Sequence, residues 1–388
     1  MSSSEKEKVL SPTPQSMLVP SLPDDFLSCF ARVSRLYYPT LSLVSKHFRS
    51  LLASPELYKA RSLLGHEESC LYLCLGSQYD SHWFTLCRKP DQTLINNGTS
   101  LKKKSSGYVL ARVPILHSPP AYFPSLVAVG SDIYNIGSRS IINNSSVSVM
   151  DCRSHTWHEA PSMPVELISL SASVVDGKIY VSGRGSDDKN SLEVLDTKTK
   201  TWDHVPISCN ETRCSFYYSR SACIDGKFHV AADGRFYVVA AGEKLVSYNS
   251  REGRLDQVEL RMCDKLFSDT YCEIENVLYS AGEGAIRWFD TKVQKWRYLM
   301  VFEGLPKFPP AVSVRLADYG GKMAVFWEEY LLSSEQKMIW CAVVMLKRHK
   351  FWEIWGESCE IWGIVEWFDH VLTVPIGYQF VKALAATV

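Results

Sequence analysis

Val175-Asp176-Gly177-Lys178-Ile179-Tyr180-Val181-Ser182-Gly183, followed by Leu192-Glu193-Val194-Leu195-Asp196 and then Trp202, decides the fold. An apolar strand end runs into a tight turn and a second apolar run leaves it. That is a hairpin, with Gly177 able to supply positive φ. The segment recurs as Val129-Gly130-Ser131-Asp132-Ile133-Tyr134-Asn135-Ile136-Gly137, Ile224-Asp225-Gly226-Lys227-Phe228-His229-Val230, Ile274-Glu275-Asn276-Val277-Leu278-Tyr279-Ser280 and Tyr319-Gly320-Gly321-Lys322-Met323-Ala324-Val325. The starts, at 129, 175, 224, 274 and 319, fall 45 to 50 residues apart, a period that belongs to radial arrays of small sheets.

A second element recurs between these hairpins. Asp151 precedes Trp157 by six residues, Asp196 precedes Trp202 by six and Asp290 precedes Trp296 by six. Asn249 and Leu255 keep the offset with substitutions, as do Leu346 and Trp352. A strand-like run stands before each site and a short one after it. Two hairpins per repeat make a four-stranded sheet, which cannot hide both faces alone, so neighbours stack around an axis. Trp83, Trp157, Trp202, Leu255, Trp296 and Trp352 are the expected packing side chains between these sheets, because a large apolar ring fills such a contact.

Over roughly residues 120–355 the pattern resembles kelch repeats. The family's Gly-Gly pair is degenerate: Gly137 and Gly183 stand alone, and the third repeat reads Val230-Ala231-Ala232. Phe368-Asp369-His370-Val371-Leu372-Thr373-Val374 aligns with the opening hairpin of a repeat and has no second half after it. Residues 70–87, where Cys70 to Leu75, a turn and Trp83 follow one another, fit the missing half. The expectation is a mainly β chain: a six-bladed kelch-type β-propeller over 66–388, closed by both termini. Closure leaves no long exposed sheet edge. Residues 88–120, with Asn96-Asn97-Gly98, Lys102-Lys103-Lys104 and Ser118-Pro119-Pro120, read as a loop.

The N-terminal part has a different texture. Residues 1–19 are Ser/Pro-rich and charged and read as a disordered tail. Pro23 suits a first helical turn, and Asp24 and Asp25 suit the positive end of a helix dipole. Phe26, Leu27, Phe30 and Val33 follow at helical spacing. After Tyr38-Pro39 a second helical pattern places Leu41, Val44, Phe48, Leu51 and Leu52 on one face, and Ser54-Pro55 ends it. So small a helical unit needs a partner surface.

The Leu22-Pro23 opening and the Leu43-Val44-Ser45-Lys46-His47-Phe48-Arg49-Ser50-Leu51 run resemble the F-box, over roughly 20–60, which sets a small α-helical module at 20–62. Phe26 and Phe30 stand where the family usually has aliphatic residues. The resemblance implies docking on an SKP-type linker protein, and through it on a cullin, by Leu22, Pro23, Phe26, Leu27, Phe30, Leu41, Val44, Phe48 and Leu51. The whole chain resembles plant-type F-box/kelch-repeat proteins.

Composition narrows the classes. With 42 Lys+Arg against 42 Asp+Glu, nothing points to nucleic acid as a partner. No apolar run is long enough to cross a membrane. The first residues are polar and lack a signal-peptide core. Twelve cysteines are spread along the chain, many inside apolar strand-like runs, and read as reduced thiols in cytoplasm or nucleus. Sequons such as Asn210-Glu211-Thr212 then carry no glycan.

A search for chemistry returns little. Cys152, His155 and His158 sit at three-residue spacings, but on a strand such neighbours face opposite ways, so no metal site is expected. No nucleophile elbow, phosphate-cradling loop or Cys-x-x-Cys pair occurs. No catalytic residue and no cofactor is expected. The leading reading, implied by the two resemblances, is a non-catalytic adaptor of an SCF-type ubiquitin ligase that recruits an unknown protein target through its propeller. A propeller-based small-molecule binder or enzyme is a second reading, and an F-box protein acting outside a ligase is a third.

Overall fold

The computed structural model describes residues 24–388 apart from 78–79, 90–106, 116, 138–144, 186, 188, 208–219, 225–226, 232–243, 250–251, 253, 260–264, 266–268, 302–304, 306–307, 309–311, 332–333 and 354–355. The tail expected at 1–19 lies outside the described residues.

Four short helices come first: α1 (Asp24–Ala31), α2 (Tyr38–Leu41), α3 (Lys46–Leu52) and α4 (Pro55–Leu63). The second helical pattern is not one helix. The chain turns over 42–45, where the Ser45 hydroxyl accepts from the Phe48 backbone N–H at 3.1 Å and starts α3. Ser54-Pro55 ends α3 as expected and also starts α4. Ser54 caps the Leu57 N–H, and Pro55 occupies the first turn, where its missing donor costs nothing.

The rest is β, in a propeller arrangement of six sheets among the described residues. The first contains β1 (Ser69–Gly76), β2 (Ser81–Arg88) and β3 (Tyr108–Arg112). The second is β4 (Leu126–Val129), β5 (Asp132–Ile136), β6 (Val147–Asp151) and β7 (Thr156–Ala160). The third is β8 (Leu167–Val175), β9 (Lys178–Gly185), β10 (Asn190–Asp196) and β11 (Thr201–His204). The fourth is β12 (Arg220–Ile224), β13 (Lys227–Ala231), β14 (Lys244–Asn249) and β15 (Arg254–Glu259). The fifth is β16 (Tyr271–Ile274), β17 (Val277–Gly282), β18 (Ala285–Asp290) and β19 (Lys295–Tyr298). The sixth is β20 (Met300–Val301), β21 (Val314–Tyr319), β22 (Lys322–Leu331), β23 (Gln336–Glu353) and β24 (Gly356–Pro375). The last strand, β25 (Gln379–Thr387), returns to pair with β1, with Leu384 opposite Tyr72. Five sheets are therefore each built from a continuous stretch, and one is stitched from both ends of the chain.

The inner strands touch in sequence: β25 meets β4, β4 meets β8, then β12, β16 and β21, which returns to β25. Each neighbouring pair of sheets encloses an apolar cluster. Leu71, Leu73 and Leu75 of the first sheet pack with Ala324 and Phe326 of the sixth, all essentially inaccessible to water. At about 1.5–3 kcal/mol per fully buried large aliphatic or aromatic side chain, such clusters hold the sheets together.

The recurring motifs have local physical causes. Asp176 and Gly177 both take positive φ (48° and 75°), as do Glu275 and Asn276 (49° and 60°), which is the hairpin geometry the Asp-Gly and Glu-Asn pairs suggest. Each recurring Asp organises the next turn. Asp151, Asp196 and Asp290 accept from the N–H two residues on, at 2.8, 2.9 and 3.0 Å. Four residues after the Asp comes a left-handed residue (His155, Lys200, Gln294), and the Trp follows on the outer strand. Gly183 is retained because a Cβ there would lie 2.3 Å from the Ser169 carbonyl oxygen.

Three expectations are corrected. The 368–374 segment does not begin a sixth repeat: it lies in β24 and pairs with β23, with Phe368 opposite Ala342. The termini meet in one sheet, but as one C-terminal strand and three N-terminal ones, so residues 70–87 supply its second and third strands. Residues 88–120 are not all loop, because β3 runs through them. Two packing residues move accordingly. Trp83 is on a third strand rather than a fourth, and Leu346 and Trp352 share the single strand β23, so their six-residue offset does not mark a turn.

Candidate interaction surfaces

The helices have one face buried on the sheets and one face open. Phe30 and Leu51 are buried, and Leu27, Leu41 and Phe48 are half-buried, within a cluster that continues into Cys70, Tyr72, Trp83, Met150 and Cys152 of the first two sheets. Phe30 meets Phe48 edge-on at 4.8 Å and Phe26 in a stack at 6.2 Å. Of the nine residues expected to dock a linker, Phe26 and Val44 are the described ones that stand out into solvent, 48% and 62% exposed. Phe30 and Leu51 serve the module's own core. Leu22 and Pro23 lie outside the described residues. Leu43, 76% exposed beside Val44, completes the open apolar surface. Its signal in the sequence was its place in the motif run.

A polar network that sequence reasoning missed fixes the module to the sheets. Arg61 is 1% exposed and donates to the carbonyls of Ala31 (3.1 Å), Val33 (2.7 Å) and His66 (2.6 Å), closing the end of α1. It also pairs with Glu68 at 3.4 Å, whose other oxygen accepts from the Ser34 hydroxyl and the Arg35 N–H. Arg35 lies against the rings of Tyr38 and Tyr58, 5.7 and 5.3 Å from their centroids, and donates to the Cys152 carbonyl at 2.9 Å. That carbonyl also accepts from the Tyr72 hydroxyl at 3.1 Å. With its proton so placed, the Tyr72 oxygen accepts from His155 Nε2 at 2.9 Å, which assigns the imidazole proton to that nitrogen. Tyr58 adds a bond to the Arg153 carbonyl at 3.2 Å. Burial pushes the Tyr58 phenol up to about 12 and, with Arg35 acting the same way, His155 down to about 4. This network joins permanently charged guanidinium donors to backbone carbonyls and to the Glu68 carboxylate, an arrangement suited to holding a geometry.

The tryptophans lie where sheets meet. Trp83 is buried 6.0 Å from the Trp157 ring. Trp202 donates to the Pro161 carbonyl at 2.8 Å, reaching back to the preceding sheet. Trp296 packs against Phe289 at 5.4 Å. The side chains of Leu255 and Trp352 lie outside the described residues. Cys152, His155 and His158 do not converge: the Cys152 thiol faces the Met150 carbonyl, His155 bonds Tyr72 and His158 bonds Thr156.

Comparison with known proteins finds two family matches. The F-box domain matches residues 20–60, and a model described as FKB95, Kelch-repeats domain, matches 83–372. Full-length relatives are similar throughout. The Arabidopsis thaliana F-box/kelch-repeat protein At5g51250 is 57% identical over 95% of this chain and 99% of its own length. The putative F-box/kelch-repeat protein At5g38680 of the same plant is 54% identical over 100% of both. F-box/kelch-repeat protein At3g06570, also from that plant, is 52% identical over 99% of this chain and 98% of its own length.

Proposed function

We propose that this chain, which belongs to the plant F-box/kelch-repeat family, is the target-recognition adaptor of an SCF-type ubiquitin ligase. The observation that carries the reading is that Phe26, Leu43 and Val44 stand exposed on a module whose other apolar side chains are already buried or half-buried in a cluster shared with the sheets. Exposed apolar side chains on so small a module suit a protein partner, here an SKP-type linker and through it a cullin. We read the six sheets as six blades of one closed ring, which presents its loops to a protein target.

The chemistry asked of the chain is placement. A target held near a charged conjugating enzyme reacts at a raised effective concentration. The Arg35, Tyr58 and Arg61 bonds would keep the linker end and the target end in one orientation. No catalytic group is required of the chain itself. The unpaired thiols of the described cysteines support a reducing compartment, cytoplasm or nucleus.

The test is to replace Phe26 and Val44 with Glu and measure capture by an immobilised SKP-type linker. Capture is expected to fall by at least tenfold while the melting temperature stays that of the parent. Undiminished capture by a folded double variant would remove the surface from the proposal.

A further inference from the structure

The sixth sheet outgrows its neighbours. Its strands β23 and β24 run for 18 and 20 residues, whereas those of the second and third sheets have between 4 and 9. β22 pairs with β23 only as far as Met323 opposite Val344. From Met345, opposite Ile364, to Glu353, opposite Gly356, β23 pairs with β24 alone among the described residues. The surplus is a two-stranded ribbon, roughly 30 Å long at ~3.4 Å per residue. Its two edges differ. β20 lies along the β24 edge, with Met300 opposite Trp362 and Val301 opposite Gly363. The β23 edge beyond Val344 has no strand beside it among the described residues.

The two strands of the ribbon also differ in charge. Lys347, Arg348, His349 and Lys350 follow one another on β23, and all four are exposed. The acids Glu357 and Glu360 are on β24, and Glu353 is the last residue of β23. Acids and bases are thus close to equal in number on the ribbon, but segregated by strand: the bases line the open edge and the acids lie across from it or at the tip. The ribbon is held in place. Arg348 donates to the Glu275 carbonyl at 2.6 Å and stands 4.0 Å from its carboxylate, which ties β23 to the turn between β16 and β17. Glu360 accepts from Trp362 Nε1 at 3.2 Å, and His349 meets the Trp362 ring edge-on at 6.1 Å.

A strand edge without a neighbour is a template on which another strand can pair. A strand added there would lie about 4.8 Å from β23 and about twice that from β24. Charge is screened over about 8 Å at physiological salt, so the basic strand acts on the newcomer more than the acidic one does. A second copy of this chain would bring like charges together directly across the edge, which opposes self-pairing, whereas an acidic strand meets opposite charges there. We propose that the open edge of β23 from Met345 to Lys350 is a strand-addition site for an extended acidic segment of the target protein. That the segment belongs to a target rests on the adaptor reading; the acceptor edge itself does not.

The probe is a fluorescein-labelled peptide of alternating Glu and Val, titrated by fluorescence anisotropy against the full chain. One control carries Lys in place of each Glu. A second is N-methylated at three successive central residues, which keeps the charge and removes the donors that pair strands. The acidic peptide is expected to bind, to weaken as salt rises and to outbind both controls. The double variant Lys347→Glu, Lys350→Glu is expected to weaken it about tenfold, since two attractive cross-strand pairs become repulsive, and Lys347→Arg, Lys350→Arg is expected to retain it. Both side chains are exposed, so the melting temperature should stay that of the parent. Equal binding of the acidic and basic peptides overturns the charge assignment, even if the double variant fails to fold. Equal binding of the N-methylated peptide overturns strand addition. Dimerisation of the full chain that the acidic peptide reverses would give the edge to a second copy and also overturn the proposal. Linker capture is scored separately on the same preparations, so a chain that binds the acidic peptide but no linker counts against the adaptor reading alone.

Discussion

The guanidinium of Arg35 donates across 2.9 Å to the backbone carbonyl of Cys152, 117 residues away in the chain. One end of that bond lies on the turn between α1 and α2, and the other on the turn between β6 and β7. The helical module is thereby an extension of the first two sheets rather than a tethered appendage. Replacing Arg35 with Met keeps much of the apolar stem and removes the donors. We expect a loss of about 1–3 kcal/mol in urea unfolding, the range for a hydrogen bond from a charged donor and its buried acceptor. A change within 0.5 kcal/mol, the range of ordinary surface substitutions, would show that the packing alone carries the joint.

Arg61 serves the module internally, and its loss should be felt more. Arg61→Met leaves the carbonyls of Ala31, Val33 and His66 without this donor and strips Glu68 of its cation. Glu68 is one-third exposed and water takes up its charge, but three carbonyls lose a charged donor at once, at about 1–2 kcal/mol each. Limited proteolysis is expected to cut within 24–63 while the sheet region survives. Cleavage at the same rate in both parts would contradict this division.

Acid should loosen the same joint. His155 is held at about 4 in the folded chain, against 6.5 for the free imidazole. As pH falls from 6.5 towards 4, the unfolded chain therefore takes up the proton first. Stability that is fully present above 6.5 is lost through that window, on the order of 1–2 kcal/mol by pH 5. His229, also held at about 4 by burial, adds in the same direction. His155→Gln should flatten the difference between urea midpoints at pH 7 and pH 5. An unchanged difference would mean that His155 does not contribute.

The ring depends on its last strand. Deleting residues 379–388 removes β25, whose Phe380 and Ala383 pack with the sixth sheet and whose partner is β1, buried from Cys70 to Leu75. The exposed inner edge of β1 would then invite pairing between chains. Light scattering should show association, with a lowered melting temperature. A monomer with the parental melting temperature would contradict the closure.

Much of this architecture was legible locally. Asp176-Gly177 and Glu275-Asn276 declared their hairpins because few residues tolerate positive φ, and the Asp-to-Trp interval declared a turn because an Asp carboxylate organises one. What local pattern does not carry is which strands become neighbours. Residues 368–374 have the hairpin texture but belong to the long outer strand β24. The strand that closes the first sheet contains Ala383, Ala385 and Ala386, with little β-forming character to announce it. Arg35 and Arg61 were illegible for another reason. Arginine on a short helix reads as solvated surface, and only the fold shows carbonyls waiting for its donors. Within the motif at 43–51 the sequence could not separate side chains facing the core, such as Leu51, from those facing out, such as Val44.

The most direct measurement is size-exclusion chromatography with light scattering of the full chain mixed with a purified SKP-type linker. An adaptor of the proposed kind is expected to elute as a one-to-one complex, which the Phe26→Glu, Val44→Glu variant fails to form while remaining folded. Separate elution of the two folded proteins at micromolar concentration would contradict the adaptor function.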